Sequence, residues 1–157
     1  MTIFSCSTCA IEHADLYPIT TEPELGIGQR GLLVCTPHGN VLWEPPGFID
    51  EAGAARIEAL GGVAAIASSH PHLTGSSIQY SPRFGRAPVY VARADREWIR
   101  RPDAVIRLWE GELELLPGLV MPGARTIHGS RMPPSYSHVL PARRGRFEVL
   151  AMFPVDI

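Results

Sequence analysis

Ile66-Ala67-Ser68-Ser69-His70-Pro71-His72-Leu73-Thr74-Gly75 is the stretch whose reading settles the rest. Val63 to Ala67 is apolar and bounded by Gly61-Gly62 and Ser68-Ser69, the composition of a short buried strand. Two histidines stand one residue apart at its carboxyl end. In extended backbone, residues i and i+2 point to one side. The imidazoles of His70 and His72 can therefore converge on one cation, and neutral imidazole is a good zinc ligand. Pro71 fixes φ between them and stiffens the pair. The alternative is a polar strand-to-loop exit without a ligand, since a His-x-His pair alone carries little information. Its place at a strand end favours the metal, because open α/β sheets gather ligands there.

Upstream, Asp50 predicts an N-cap for a helix over Glu51 to Leu60, stopped by Gly61-Gly62. Ile49, Gly53, Ile57 and Leu60 give that helix its apolar side. Before it a hairpin is expected: strand Gly31 to Thr36, turn Pro37-His38-Gly39-Asn40, return strand Val41 to Glu44. Gly39-Asn40 would supply the positive φ of the turn, and His38 would be solvated. Downstream, Gly75 to Tyr80 predicts a short helix ended by Ser81-Pro82, its first turn beside the histidines. Strands follow at Pro88 to Ala92, Val105 to Trp109, Leu113 to Leu116 and Leu119 to Met121, with a helical turn or two over Ala94 to Ile99. The order is an α/β layer pattern with helices packed on a sheet.

The 157 residues suffice for one domain with a real core. No apolar run approaches the ~20 residues of a membrane span, so no membrane partner is expected. Met1 to Cys6 lacks a basic region and a long apolar segment, so the expected location is cytoplasmic. A net charge of -2 and no basic stripe exclude nucleic acid as the expected partner. All 14 basic residues are arginine, which points to a GC-rich coding bias. Residues 1–114 hold 9 arginines against 14 acids, and residues 115–157 hold 5 against 2, with a run of prolines. The composition shifts near Pro122, the expected boundary.

Residues 18–30 read as a linker, with Pro18, Pro23 and Gly26-Ile27-Gly28; the third glycine and helix of a nucleotide loop are missing. Cys6-Ser7-Thr8-Cys9 is a C-x-x-C pair: half of a zinc knuckle, a redox pair, or two ordinary thiols. Cys35 alone remains to complete a knuckle, and its apolar surroundings predict a core residue. No intact site is expected there, with an incomplete zinc site as the next reading.

The run Thr36-Pro-His-Gly-Asn-Val-Leu-Trp-Glu44, the helix, Ala64 to Ser69, His70-Pro-His72, Pro88-Val-Tyr-Val and Trp109-Glu-Gly-Glu-Leu-Glu-Leu together resemble the metallo-β-lactamase fold superfamily. More narrowly, the chain is similar to bacterial metallo-hydrolases with a cysteine-rich, zinc-ribbon-like segment in front, of which Cys6-x-x-Cys9 would be the remnant. The resemblance implies residues 1–23 as that remnant and linker, 24–122 as the first half of an αββα sandwich, and 123–157 as an irregular C-terminal tail. It also implies a metal-dependent hydrolase acting on a small-molecule substrate; relatives by fold cleave lactams, thioesters, lactones and phosphodiesters, and fold alone does not choose.

The superfamily's first ligand motif is His-x-His-x-Asp-His. His70 and His72 match its first two ligands, whereas Thr74 and Gly75 stand where aspartate and the third histidine belong. That leaves one zinc at most. His128 falls near a later ligand position without the preceding glycines, and its alternative is a loop histidine in an arginine- and proline-rich tail, as for His13 and His138. No residue clearly takes the place of the missing acid. Two other readings stay open. One is a non-catalytic fragment, truncated or shifted in frame near codon 122, which would leave one sheet face uncovered. The other is a small metal-binding module, a homodimer joining two Cys6-x-x-Cys9 pairs around one zinc.

Overall fold

Gly31–Thr36 (β3) and Gly39–Trp43 (β4), largely buried apolar runs, build the hairpin from which the sheet grows. The structure, a computed structural model, describes residues 2–3, 15–23, 30–68, 71, 74–121, 137–142 and 146–151. The two strands pair antiparallel from Thr36↔Gly39 to Leu32↔Trp43. The turn is therefore Pro37-His38, two residues shorter than predicted, and Gly39 and Asn40 belong to β4. Pro37 presets φ at the first turn position, and the Thr36 hydroxyl closes the turn from both sides. It accepts from the His38 amide at 3.1 Å and donates to the Gly39 carbonyl at 2.8 Å. Gly39 does take a positive φ, of 122°, and His38 is exposed as expected.

Asp15–Thr21 (β2) lies antiparallel to β3, from Asp15↔Cys35 to Ile19↔Gly31. This corrects the linker reading at its start. Leu16, Tyr17 and Ile19 favour extended backbone, and Pro18 made the segment look broken. The outer neighbour Thr2–Ile3 (β1) pairs only with Thr20 and Thr21. Pro18 pairs with Leu32 of β3 and, on its other side, lies outside the described pairing with β1, an edge position of the kind that tolerates proline.

Two parallel crossovers follow. Glu51–Ala59 (α1) leads to Ala65–Ala67 (β5), and Thr74–Tyr80 (α2) leads through a 3₁₀ turn at Ser81–Phe84 to Val89–Ala92 (β6). β5 pairs parallel with both β4 and β6. Beyond β6, after a 3₁₀ turn at Arg93–Trp98, Ile106–Trp109 (β7) completes a seven-stranded sheet in chain order. Asp50 caps α1 by accepting from the Gly53 amide at 2.7 Å. Asp50→Ala should accordingly lower the unfolding free energy by about 1 kcal/mol, read as a shift of the urea midpoint at constant slope. At the other end Gly61 and Gly62 take φ of 106° and 73° and stop the helix as predicted. Leu60, expected on the apolar side, is 36% exposed instead, because α1 buries Gly53, Ala54 and Ile57.

Ala54 and Ile57 of α1, with Tyr80 and Phe84, pack on Leu33, Leu42, Ile66, Val89 and Val91 of the sheet. The alternate residues Val34, Val41, Trp43, Ala65 and Ala67 are also buried, at 1% exposure or less. Neither face of the central strands is bare, contrary to what the fragment reading implied. Strands buried on both faces explain the near-continuous apolar runs.

The chain divides into two compact units, Met1–Leu108 and Trp109–Ile157, earlier than the composition shift at Pro122. In the second unit Leu113–Leu116 (β8), Leu119–Met121 (β9), Ser137–Ala142 (β10) and Arg146–Ala151 (β11) form a four-stranded sheet in the order β10-β11-β9-β8. Where the tail is described, at Ser137–Ala142 and Arg146–Ala151, it forms strands, and His138 lies in a strand rather than a loop. Arg146-Phe147-Glu148-Val149 alternates polar and apolar residues as a strand should, a pattern masked by the surrounding arginine and proline. The result is a mixed α/β chain, rich in strands and sparing in helices. Among the described residues no helix is long and apolar enough to cross a membrane.

Candidate functional site

β5 is the middle of three parallel strands, and its carboxyl end at Ala67 opens into the segment that holds the histidines. His70 and His72 themselves lie outside the described residues, as do His128, Cys6, Cys9 and His13. What is described is the frame around the pair. On one side stands Ala67, followed by half-buried Ser68. On the other, the Thr74 hydroxyl donates to the Pro71 carbonyl at 2.8 Å and is buried with its residue at 3% exposure. Thr74 therefore ties the loop to the start of α2. A Cβ on Gly75 would meet nothing within 4 Å, so the second substituted motif position faces open space.

The same edge carries a carboxylate that sequence reasoning passed over. Glu44 follows the last residue of β4, and its amide donates to the Ala67 carbonyl at 3.0 Å. It is 1% exposed and adopts φ of 49°. A left-handed backbone at a non-glycine residue costs of order 1 kcal/mol and persists where its surroundings enforce it, commonly at functional sites. Gly31 is part of that enforcement: a Cβ there would lie 2.8 Å from the Glu44 carbonyl oxygen and 2.8 Å from Cδ of Pro46. The signal available in the sequence was an acid directly after an apolar strand and before Pro45-Pro46. Trp43, just before it, is 1% exposed, and its indole N–H has no acceptor among the described residues. Buried polar groups of this kind ask for an explanation. A carboxylate beside a histidine-bearing strand exit can orient an imidazole or accept a proton from a bound water.

Other titratable groups contribute less. Cys35 is half-buried and packs against the core cluster. Asp95, in the 3₁₀ turn after β6, has its pKa raised by burial and, secondarily, by Glu97. Among the described residues no three histidine, cysteine, aspartate or glutamate side chains gather in the manner of a metal site.

Fold and edge together define a mixed α/β chain with a parallel centre and an elaborated carboxyl edge. No protein-family model matches it, and no solved structure matches it. It is 41% identical over 109 residues to the uncharacterized protein YmaE of Bacillus subtilis (strain 168), a stretch covering 69% of this chain and 39% of that protein. The chain therefore spans well under half the length of the relative it matches.

Proposed function

We propose that residues 24–122 carry the first half of a metallo-β-lactamase-like αββα sandwich. In this reading His70 and His72 hold a single zinc ion, with His128 as third ligand, in a hydrolase of small molecules. One observation supports it: Ala67, the last residue of the central parallel strand and three residues before His70 in sequence, accepts from the amide of the buried residue Glu44. The donor set suits the ion, since three imidazoles leave the fourth tetrahedral position for water. A relative more than twice as long as the matched stretch also accords with a fold built of two halves.

Zinc, when bound, supplies a Lewis acid and a water whose pKa falls towards ~7. The chain's own part is positional. Pro71 restrains the histidine spacing, and Thr74 closes the loop through the Pro71 carbonyl. Glu44 takes the role left open by Thr74 in the motif, orienting an imidazole or receiving a proton at its carboxylate.

Zinc per chain tests the reading. The intact protein should hold about one ion, as three-histidine sites do. His70→Ala/His72→Ala should hold none, and Cys6→Ser should match the intact protein. Zinc retained by the double variant but lost in Cys6→Ser would sink the histidine site in favour of the cysteine pair. The non-catalytic reading draws on Thr74 and Gly75 in place of two motif ligands. Pairing of β10 with β11 weighs against a tail translated out of frame. Gly-Gly-His and Gly-Asp motifs in another frame past codon 122 would restore that idea.

A further inference from the structure

β7 ends the seven-stranded sheet, and among the described residues no strand pairs with its far side. Successive carbonyls of extended backbone point to opposite edges of a strand. The Val105 carbonyl accepts from the Val89 amide at 3.0 Å, so it turns towards β6. The amide and carbonyl of Ile106 therefore turn outwards, as do those of Leu108. Ile106 and Trp109 are strand-favouring residues, and an outward row of backbone groups on such a strand is a template for another strand.

The chain fills part of that template itself. The Ile106 amide donates to the Asp103 carbonyl at 3.2 Å. Arg107 Nη1 donates to the Ile106 carbonyl at 3.1 Å and to the Ala104 carbonyl at 2.7 Å, in exposed positions. Asp103 is held in its turn: Oδ1 accepts from the Val105 amide at 3.0 Å and lies 3.7 Å from Nη2 of Arg86. Both outward groups of Ile106 are thus engaged before any other strand arrives. Charge adds to this. A second copy joining this edge about a twofold axis would run antiparallel to it. The register that uses both outward positions sets Ile106 against Leu108 and is centred on Arg107, in a non-hydrogen-bonded pair. Side chains lie closest in such a pair, and like charges directly opposite each other destabilise it.

We propose that Arg107, with Asp103 beside it, is a guard that stops β7 from pairing with β7 of a second copy. It takes the Ile106 carbonyl that an incoming amide would need, and it sets two guanidinium groups against each other in the matching register. The guard stands independently of the histidine site and of its zinc.

Amide hydrogen exchange and sedimentation of the full chain test it, in wild type and in Arg107→Thr, a neutral change that favours strands. In wild type the Leu108 amide should exchange at one rate whatever the protein concentration. In Arg107→Thr it should slow by at least about tenfold from dilute to concentrated samples, while the weight-average mass rises above that of wild type. Arg107→Gln drops the charge and keeps most of the length, so it should self-associate more weakly at the same place; it decides the matter should the threonine variant not fold. The proposal is overturned if neither variant associates beyond wild type. Association without slowing at Leu108 also overturns it, since the contact would then lie at another edge. So does a concentration-dependent Leu108 amide in wild type, which would mean that the edge is already open.

Discussion

Asn40→Ala is expected to lower the unfolding free energy by about 2–4 kcal/mol, less than the full cost of two buried carbonyls each losing a donor worth about 1–3 kcal/mol. Asn40 is 4% exposed, and its Nδ2 donates at 2.9 Å to the carbonyls of both Leu60 and Gly62. These are the last residue before, and the second residue of, the glycine pair that ends α1. Its backbone carbonyl also accepts from Ala64 at 2.8 Å. One side chain on β4 thus fixes where the helix stops and where β5 begins. The Leu60 carbonyl is less buried than that of Gly62, so water can relieve part of its loss, which keeps the estimate below the full sum. Asn40→Asp should be worse than alanine, since a carboxylate offers acceptors to acceptors. Urea unfolding measures both. A loss under ~0.5 kcal/mol for alanine, the size of an ordinary surface change, would show that these bonds do not hold the crossover.

That residue also marks how far the sequence could be read. The hairpin strands, both helices, the glycine stop and the three short strands after Val105 follow from periodicity and punctuation, which are local signals. Asn40 next to Gly39 looks like turn chemistry, and only the strand register shows it to be a buried bolt reaching the far end of a helix. β2 was hidden by Pro18, which pairs with Leu32 of β3 and lies outside the described pairing with β1, confined to Thr20 and Thr21. β10 and β11 were hidden by composition: arginine and proline in the tail outweighed a four-residue alternation. At the candidate site the histidine pair was legible because its spacing is local. Glu44 was not, because its importance comes from contact with Ala67 and Gly31, which are distant in the chain.

Gly31→Ala should both destabilise the protein, by about 1–3 kcal/mol as overpacking does, and disturb the edge where the histidines emerge. The added methyl would lie 2.8 Å from the Glu44 carbonyl oxygen and 2.8 Å from Cδ of Pro46. Neither neighbour is the free end of a flexible side chain. Relief must come from the backbone of Glu44, which already holds φ of 49° and is bonded to Ala67. Moving Glu44 shifts the carboxylate proposed to support the histidine ligands, and loss of such support typically weakens metal affinity about 10–100-fold. Gly75→Ala is the matched control. Its Cβ meets no neighbour within 4 Å and sits in α2, so alanine should stabilise by about 0.5–1 kcal/mol through helix propensity. It should also leave zinc affinity unchanged. Opposite signs from the same chemical change separate steric crowding at β3 from any general effect of alanine. Full zinc affinity in Gly31→Ala, alongside the expected loss of stability, would detach Glu44 from the metal site while leaving its packing role intact.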